Sequence, residues 1–350
     1  MPEQSNRISV VIPLYNGSDH IQKCIEQLDN QDCRFPFEVL IVDDASTDKS
    51  AEIVELQLKE LKHTEYFHLI RSPRNGRAGS ARNIGIKTAS GEYILFIDQD
   101  DYPDTTMLRL LWENSKGGSV DLVSCAVMDR FGKPYFRPEI SGDYTISETE
   151  RKQLLQCYGY VFASLIRRSI LIENSIFFAE NVMFEDCLFN CGVLSCVKTI
   201  QTIKNVLYFR INEEGSQTGS FSVKKINDRI DATLFYLESY RKNEATQRYM
   251  DQIKLVAFYY IYLSNMLWIV TMPDLFQKDL FNRVLTEGRK LDVKWSEAKK
   301  GGQKVSRNLI PIMHLIYICP IMAYPVRACG AVAYKAIKLI KRRSYRGKHE

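Results

Sequence analysis

EYILFIDQDD, residues 92–101, is the stretch that decides the fold of this 350-residue chain. Its first six residues, 92–97, are mostly apolar and rich in aromatic and β-branched side chains, which predicts a short buried strand. Three carboxylates follow directly, at Asp98, Asp100 and Asp101. Ligands of open α/β sheets bind beyond the carboxyl ends of the strands. The stretch therefore predicts an α/β sheet with a binding site at this strand end.

Three similar apolar runs lie upstream, and a stretch with helical spacing follows each of them. We predict strands at 8–14, 37–42 and 67–71, and helices at 20–28, 50–62 and 80–89. Strands that alternate with helices form crossover units, which give a mostly parallel sheet. Tyr15 and Asn16 follow the first strand, and Asp43 and Asp44 follow the second. Because parallel strands end at one edge of a sheet, we expect these residues and the acidic cluster to form one site.

The pattern is less regular after about residue 120. We predict a strand at 120–128, a helix at 148–158, a helix at 183–196, a strand at 206–211 and a mainly helical segment at 226–271. The organisation that follows is a sheet domain over 1–225, a helical extension over 226–308 and an apolar, basic tail over 309–350.

Composition is ordinary for a globular protein, with 45% hydrophobic and 25% charged residues. The net charge of +5 is uneven, since residues 327–350 hold eight Lys or Arg and one Glu. The remainder sums to −2, so the charge does not indicate a nucleic-acid partner. The nine cysteines lack paired spacing and the start, 1–7, is polar, so we expect free thiols in the reducing cytoplasm.

The tail predicts contact with a membrane. Residues 309–326 are apolar but interrupted by three prolines, and they are at the short limit for a spanning helix. Residues 328–343 then alternate apolar side chains with Lys and Arg, a pattern that suits an anionic membrane surface. The alternative is a helix packed on the core, followed by a solvated basic end. We expect peripheral association with the inner face of the cell membrane.

The acidic cluster after the strand suits a metal ion. Crowded carboxylates repel one another, and a divalent cation removes that repulsion. Mg²⁺ and Mn²⁺ prefer such oxygen ligands and retain water or phosphate oxygens. The spacing of Asp98 and Asp100 lets both side chains converge where the backbone turns. A solvated acidic loop remains the alternative, because D-x-D is short and frequent.

Two further polar segments suit a nucleotide. VDDASTD, residues 42–48, can present a carboxylate to a nucleobase or ribose, although a helix cap would look the same. RSPRNGRAGSARNIG, residues 71–85, supplies guanidinium and backbone N–H groups that can hold a diphosphate. Neither G-x-G-x-x-G nor the P-loop pattern is present in it, so neither a dinucleotide-binding fold nor a P-loop is indicated.

These motifs, in this order, resemble the family 2 glycosyltransferases. VVIPLYN (10–16), VDDASTD (42–48), the segment NGRAGSARNIG (75–85) and FIDQDD (96–101) are spaced as in that family. NSIFFAENVMFEDCLFN (174–190) resembles its segment with an acidic pair, and YFRINEEGSQT (208–218) resembles its Y-x-R segment. The resemblance covers roughly 8–220. It implies the GT-A fold, a Rossmann-like nucleotide-sugar-binding, mixed and mostly parallel sheet with flanking helices, here with a helical C-terminal extension.

The resemblance also implies roles for individual residues. The residues expected at the donor are Pro13, Tyr15, Asn16, Asp43, Asp44, Arg82, Asn83, Asp98 and Gln99. Asp98 and Asp100 resemble the pair that binds Mn²⁺ or Mg²⁺, and Asp186 resembles the catalytic base of the Glu185-Asp186 pair. Without the family pattern, that pair is equally well an acidic helix N-terminus. Ala45 stands where the family usually has Gly, which should be tolerated if its φ is not positive.

The expected reaction is an inverting sugar transfer. Asp186 would take the proton of an acceptor hydroxyl, and the metal would neutralise the departing nucleoside diphosphate. The resemblance favours a UDP-sugar donor and a glycan or lipid-linked acceptor in surface polysaccharide biosynthesis. One alternative is a non-catalytic nucleotide-sugar-binding scaffold of a membrane assembly. A nucleotidyltransferase is the other, but the loop after the first strand lacks the basic residue expected there.

Overall fold

The computed structural model describes residues 6–128, 131–135, 145–157, 161–211, 222–298, 310–324 and 326. Within these, the strands are β1 (Ile8–Leu14), β2 (Phe37–Asp43), β3 (Phe67–Arg71), β4 (Tyr93–Phe96), β5 (Tyr102–Pro103), β6 (Leu122–Met128), β7 (Pro134–Tyr135), β8 (Ser164–Arg167) and β9 (Ile200–Phe209). The α-helices are α1 (Ile21–Asp29), α2 (Ser50–Gln57), α3 (Arg77–Thr88), α4 (Met107–Asn114), α5 (Glu148–Cys157), α6 (Arg168–Glu173), α7 (Phe189–Cys196), α8 (Val223–Arg241), α9 (Glu244–Gln247), α10 (Met250–Phe258), α11 (Ser264–Thr271), α12 (Lys278–Lys290), α13 (Trp295–Ala298) and α14 (Ile310–Ile318). Short 3₁₀ helices lie at Thr64–Tyr66, Pro273–Leu275 and Pro320–Met322, and a π-helical turn lies at Tyr259–Leu263.

All the described strands belong to one sheet, in the order β3-β2-β1-β4-β8-β6-β9-β5, with β7 beside β6. β1 pairs in parallel with β2 and β4, and β2 pairs in parallel with β3. β8 is antiparallel to both β4 and β6, and β9 returns to parallel pairing with β6. The predicted mixed α/β sheet with flanking helices is confirmed. Its parallel part is the half that carries the strand-end residues.

Both faces of the central strands β1, β2 and β4 are covered, which explains why these strands are mostly apolar. On β1, Ile8, Val10, Ile12 and Leu14 belong to a core that also contains apolar residues of α1, α2 and α4. Val11 points to the opposite face, where it packs in a second core with α3. This alternation follows the two-residue period of a strand.

The helical extension has no separate core among the described residues. Its buried side chains, from Ile226 in α8 to Ala323, continue the core of the α3 face of the sheet. Met250–Thr271 is long and apolar enough to cross a membrane, but 67% of its apolar window is buried inside the protein. This helix is therefore accounted for by packing, and its hydropathy is only weak evidence for a span.

The segment 183–196 departs from its prediction as one helix. Residues 183–188 form turns, and α7 begins only at Phe189. Phe184 has a φ of 63° and Asn181 a φ of 61°, left-handed values that an α-helix of L-residues does not accommodate. Within these turns Leu188 is buried and Cys187 packs against the core, whereas Met183 and Phe184 are partly exposed. Glu185 and Asp186 consequently lie on an irregular segment.

Part of the apolar run 309–326 packs against the helical extension. Met313, Ile316 and Ala323 are buried. The Tyr262 hydroxyl donates to the carbonyl of Met313 at 2.7 Å, and the rings of His314 and Trp295 stack with centroids 4.3 Å apart. Residues 327–350, where the basic part of the predicted tail falls, lie outside the described residues, as does 212–221 with the end of the YFRINEEGSQT segment.

Candidate functional site

The ends of β1 and β4 are joined by one side chain. Gln99 Oε1 accepts a hydrogen bond from the Tyr15 amide at 2.7 Å, and Gln99 Nε2 donates to the Tyr15 carbonyl at 3.1 Å. The Tyr15 side chain stays 37% exposed, so its ring is free to meet a ligand. Pro13 is buried within β1, opposite Val42 of β2. Of these predicted donor residues, Tyr15 is exposed, Pro13 is buried in β1, and Gln99 is bonded to the Tyr15 backbone.

The loop after β2 is tied back to β1 through Asn16. Asn16 Oδ1 accepts from the Thr47 amide at 2.8 Å, and the Asn16 amide donates to Ser46 Oγ at 3.0 Å. Asp43 Oδ1 accepts from the Ser46 amide at 3.1 Å, so Asp43 stabilises the turn itself. Ala45, in this turn, has a φ of 57°. The condition under which Ala45 would be tolerated without cost is therefore not met, and the turn carries backbone strain of about 1–2 kcal/mol.

Asp44 is the strand-end carboxylate with an unused oxygen. It is 1% exposed, and its Oδ1 accepts from the Gly76 amide at 2.8 Å. Its Oδ2 is buried with no hydrogen-bond partner. Burial raises the pKa of Asp44, and the Gly76 amide partly offsets this. A buried, unsatisfied acceptor at the ligand edge of a sheet suits an N–H or O–H donor brought by a ligand.

Helix α3 places Arg82 between two acidic segments. The guanidinium is 5% exposed, and its Nη2 donates to Asp98 Oδ1 at 2.8 Å. Its Nη1 forms an ion pair with Glu185 on the turn before α7. Residues far apart in sequence, the β4 end and the Glu185-Asp186 turn, are therefore held by one side chain.

Asn83 does not face the donor edge. Its Nδ2 donates to the Phe178 carbonyl at 3.0 Å and to Glu180 Oε1 at 2.9 Å, and its Oδ1 accepts from the Phe178 amide at 2.8 Å. With 3% exposure and these bonds made, Asn83 fixes the segment that leads to Asp186. The resemblance suggested a donor contact for Asn83, but the structure gives this side chain a positioning role.

The three carboxylates after β4 have different surroundings. Asp101 is 3% exposed; it accepts from the Tyr208 hydroxyl at 2.8 Å and from the Ile211 amide at 2.9 Å. Tyr208 also accepts from the Asp98 amide at 3.1 Å. Asp101 thus fastens the strand end to β9, and the sequence offered only the Y-x-R segment as a sign of that partner.

Asp100 makes no side-chain hydrogen bond or salt bridge to another described residue, although the charges of His20 and Arg210 act on it. Burial, and then the charge of Asp98, raises its pKa. A divalent cation beside Asp98 and Asp100 would relieve both effects, and hard oxygen ligands suit Mg²⁺ or Mn²⁺. No group of three or more His, Cys, Asp or Glu that could hold a metal is found in the described part of the chain. The pair fits an ion that takes its other ligands from water and phosphate.

Asp186 is partly buried beside Glu185. Burial, and then the charge of Glu185, raises the pKa of Asp186 to about 7, against the opposing effect of Arg82. The Tyr236 hydroxyl, in α8 of the helical extension, donates a hydrogen bond to the Glu185 carbonyl and so holds the turn against the extension. No pattern in the sequence pointed to Tyr236. A carboxylate with a pKa near neutrality is suited to accept and release a proton at physiological pH.

Gly79 lets α3 approach the turn, and we expect Gly79→Ala to lower transfer by about 10²-fold. A Cβ at this position would overlap the Ala179 carbonyl oxygen and lie 3.2 Å from Glu185 Cβ. The segment carrying Asp186 would have to move away from Arg82. Steady-state transfer kinetics test this, with Ser80→Ala as the control in the same helix. Wild-type activity in Gly79→Ala would contradict the required close packing.

Comparison with known proteins finds the same family that the sequence motifs resemble. Residues 9–174 match the family model described as Glycosyl transferase family 2. The uncharacterized glycosyltransferase EpsJ of Bacillus subtilis is 29% identical over 220 residues, which are 60% of this chain and 62% of EpsJ. The poly(ribitol-phosphate) beta-glucosyltransferase of Bacillus spizizenii is 42% identical over 205 residues, 58% of this chain and 32% of that protein. The chain thus matches less than two thirds of either relative.

A solved structure shares the fold. The crystal structure of S. aureus TarS 1-349 in complex with UDP-GlcNAc superposes with a TM-score of 0.67 at 19% identity. The match covers 97% of this chain and 92% of that one, so the likeness includes the helical extension. The matched region 9–174 contains the strand-end carboxylates and Arg82. Over this region, the chain is similar to glycosyl transferase family 2.

Proposed function

We propose that this protein transfers a sugar from a nucleotide-sugar, with UDP as the carrier, to a hydroxyl group of a glycan or lipid-linked acceptor, with inversion at the anomeric carbon. The observation that carries the proposal is the double ion pair of Arg82 with Asp98 and Glu185. These ion pairs link Asp98, at the end of β4, to Glu185, the residue before the proposed base Asp186, and so support the proposal. Such fixed positioning of reactants supplies much of the rate enhancement of a displacement reaction.

The donor would bind along the ends of β1, β2 and β4. Asp44 Oδ2, buried and unpaired, would accept a hydrogen bond from the imide N–H of the base, and the exposed ring of Tyr15 would pack on the base. Asp98 and Asp100 would hold Mn²⁺ or Mg²⁺. When bound, the ion neutralises negative charge on the leaving diphosphate.

Asp186 would act as the general base. An acceptor hydroxyl is a weak nucleophile, and a carboxylate within hydrogen-bond distance removes its proton as the bond to the anomeric carbon forms. Arg82 and Asn83 hold the segment around Asp186 in place for this step. Attack opposite the leaving group in one displacement inverts the anomeric centre.

The acceptor class is suggested by the relatives' names. A poly(ribitol-phosphate) beta-glucosyltransferase and the S. aureus poly(ribitol-phosphate) beta-N-acetylglucosaminyltransferase TarS both match this chain. We infer an acceptor on a surface polymer. The alternative function, a nucleotide-sugar-binding scaffold without activity, predicts donor binding without any turnover.

A donor screen tests the proposal. UDP-sugars and other nucleotide-sugars are added with Mn²⁺, and the melting temperature is followed, since a ligand that binds only the folded state raises it. We expect UDP and UDP-sugars to stabilise the protein more than GDP- or ADP-linked donors. Absence of any nucleotide-dependent stabilisation would contradict the proposal. Enzymatic cleavage of a stabilising donor to free UDP, even at a low rate, would exclude the non-catalytic scaffold.

We also propose that the protein acts on the inner face of the cell membrane. Four exposed apolar side chains lie within ten residues, Leu315, Ile318, Ile321 and Tyr324, with exposures of 40%, 63%, 69% and 56%. Met313 and Ile316 of α14 and Ala323 after it are buried, so these four exposed side chains, the apolar patch, point to the solvent. The apolar patch directly precedes the basic residues of 327–350, which would attract anionic lipid. Apolar contact and basic charge together give firmer binding than either alone.

Replacing Ile318 and Ile321 together by Glu is expected to weaken binding to phosphatidylglycerol vesicles by about tenfold or more, since each side chain contributes on the order of 1–2 kcal/mol in an apolar phase. Deleting 327–350 should release the protein from membrane fractions. Vesicle co-sedimentation measures both, with Leu56→Glu as a control at an exposed apolar residue on α2. If the double variant sediments with vesicles as wild type does, the apolar patch does not contribute to binding. If the deletion variant still sediments with membranes, residues 327–350 are not the anchor.

A further inference from the structure

Arg229, in α8, is a buried cation that forms no ion pair with another described residue. It is 3% exposed, and its hydrogen bond is donated by Nη2 to the side-chain amide of Asn265. Its Nε is buried with no partner. Asp228, the adjacent carboxylate, is engaged with Lys224 at 3.0 Å and with the Met183 amide. Nothing in the described part of the chain therefore neutralises this guanidinium.

The other two buried arginines of the described residues are compensated. Arg82 forms ion pairs with Asp98 and Glu185. Arg151 donates to the carbonyls of Leu194 and Val197 at the end of α7, where the helix dipole is negative. Buried charges in folded proteins are normally paired in one of these ways. Arg229 is the exception, and an unsatisfied buried group of this kind needs a specific explanation.

The position of Arg229 relates it to the proposed base. Its guanidinium carbon lies 4.1 Å from the ring centroid of Trp268 and 5.2 Å from that of Phe184, the residue directly before Glu185-Asp186. Both rings are only partly buried, so the guanidinium lies between side chains that reach the surface. The helical extension thus brings a positive charge, with aromatic rings but no described carboxylate as partners, next to the residue that precedes Glu185-Asp186.

Among the described residues, the groups around the guanidinium supply no anion. The ionisable neighbours that act on it are Tyr259, Cys187 and Tyr260, which are neutral at physiological pH. Burial lowers the pKa of Arg229 to about 10, consistent with a charge that no carboxylate supports. Tyr259 and Tyr260 lie in the π-helical turn, an irregularity that is frequent at functional sites.

We propose that Arg229 anchors a phosphate subsite for the acceptor beside the Glu185-Asp186 turn. This deepens the proposed transferase function by naming one chemical group of its acceptor. A planar guanidinium with free N–H donors binds phosphate oxygens with charge-assisted hydrogen bonds. Phosphate bound there would present a neighbouring hydroxyl of the same acceptor to Asp186. The phosphate is distinct from the diphosphate of the donor, whose proposed residues lie at the strand ends.

Titration calorimetry with the full chain tests the subsite. The protein is saturated with UDP and Mg²⁺, so that the diphosphate site is filled, and inorganic phosphate is then titrated at constant ionic strength. We expect saturable binding in wild type, weakened by about tenfold or more in Arg229→Gln, because removing one partner of a buried charged pair raises the dissociation constant at least that far. Arg241→Gln, an exposed charge on the same helix, is expected to bind phosphate as wild type does.

Asn265→Asp supplies a second variant that keeps the arginine. A carboxylate beside Nη2 would neutralise the guanidinium internally, so phosphate binding should again fall by about tenfold or more. UDP binding shows that each variant is folded. If Arg229→Gln no longer binds UDP, the phosphate affinity of Asn265→Asp is used to test the subsite instead. Absence of phosphate binding in UDP-saturated wild type, or wild-type affinity in a folded variant, overturns the proposal. Failure of wild type to bind UDP would instead count against the proposed function.

Discussion

Asp186→Asn is expected to lower the rate of transfer by about 10²–10⁴-fold, the usual contribution of a general base, while UDP affinity stays close to that of wild type. The amide keeps the shape of the side chain but cannot accept the proton of the acceptor hydroxyl. Donor contacts assigned to Asp44 and Tyr15 lie at the strand ends, and the substitution does not touch them. Transfer kinetics and calorimetry with UDP measure the two effects separately. Asp251→Asn, the same change at an exposed position of α10, is the control.

The pH profile sharpens this test. Burial and the charge of Glu185 raise the pKa of Asp186 to about 7. A base is active only when deprotonated, so kcat/KM should fall as the pH drops below that value, by about tenfold per unit at the acid limit. Residual activity of Asp186→Asn should lack this acidic limb. Loss of UDP binding together with transfer would contradict the assignment of Asp186 as the base.

The sequence predicted the parallel half of the fold well because its signals are local. β1 and β3 begin and end as predicted, since both are apolar runs bounded by polar or turn-forming residues. The end of β2 and the acidic cluster after β4 likewise follow from the abrupt change from apolar to charged side chains. The meeting of these ends at one edge needs only the rule that crossover units give parallel strands.

The acceptor side was harder to predict because contacts between distant segments determine it. Arg82 and Asn83 lie on α3, near the donor edge in sequence, yet their partners Glu185, Phe178 and Glu180 are about a hundred residues away. The turn before α7 looked helical because its apolar spacing is helical. The left-handed φ of Phe184 depends on tertiary contacts that no short window of sequence contains.

The acidic cluster shows how the structure divides residues that look alike in sequence. Asp101 has both oxygens engaged by Tyr208 and the Ile211 amide, and Asp98 shares one oxygen with Arg82. Asp100 has neither kind of partner among the described residues. Composition treats the three carboxylates as equal, but Asp100 is the one that no hydrogen bond or salt bridge ties to another described side chain.

Asp100→Ala is therefore expected to abolish metal-dependent UDP binding and to reduce transfer to the level seen with chelator. Burial and the charge of Asp98 raise the pKa of Asp100, so the site favours whatever positive charge can enter it. Removing this carboxylate leaves Asp98, which Arg82 already neutralises, and a single weakened ligand binds Mg²⁺ or Mn²⁺ poorly.

Mn²⁺ affinity in the presence of UDP, followed by calorimetry, gives a readout that does not depend on turnover. Asp19→Ala, which removes an exposed carboxylate near the start of α1, should leave that affinity unchanged. Undiminished transfer by wild type in chelator would exclude a metal role for Asp100. Metal binding retained in Asp100→Ala but lost in Asp101→Asn would show that the ligand is Asp101, against the two hydrogen bonds that hold it to β9 and Ile211. The test therefore separates the two adjacent carboxylates, which the sequence alone does not distinguish.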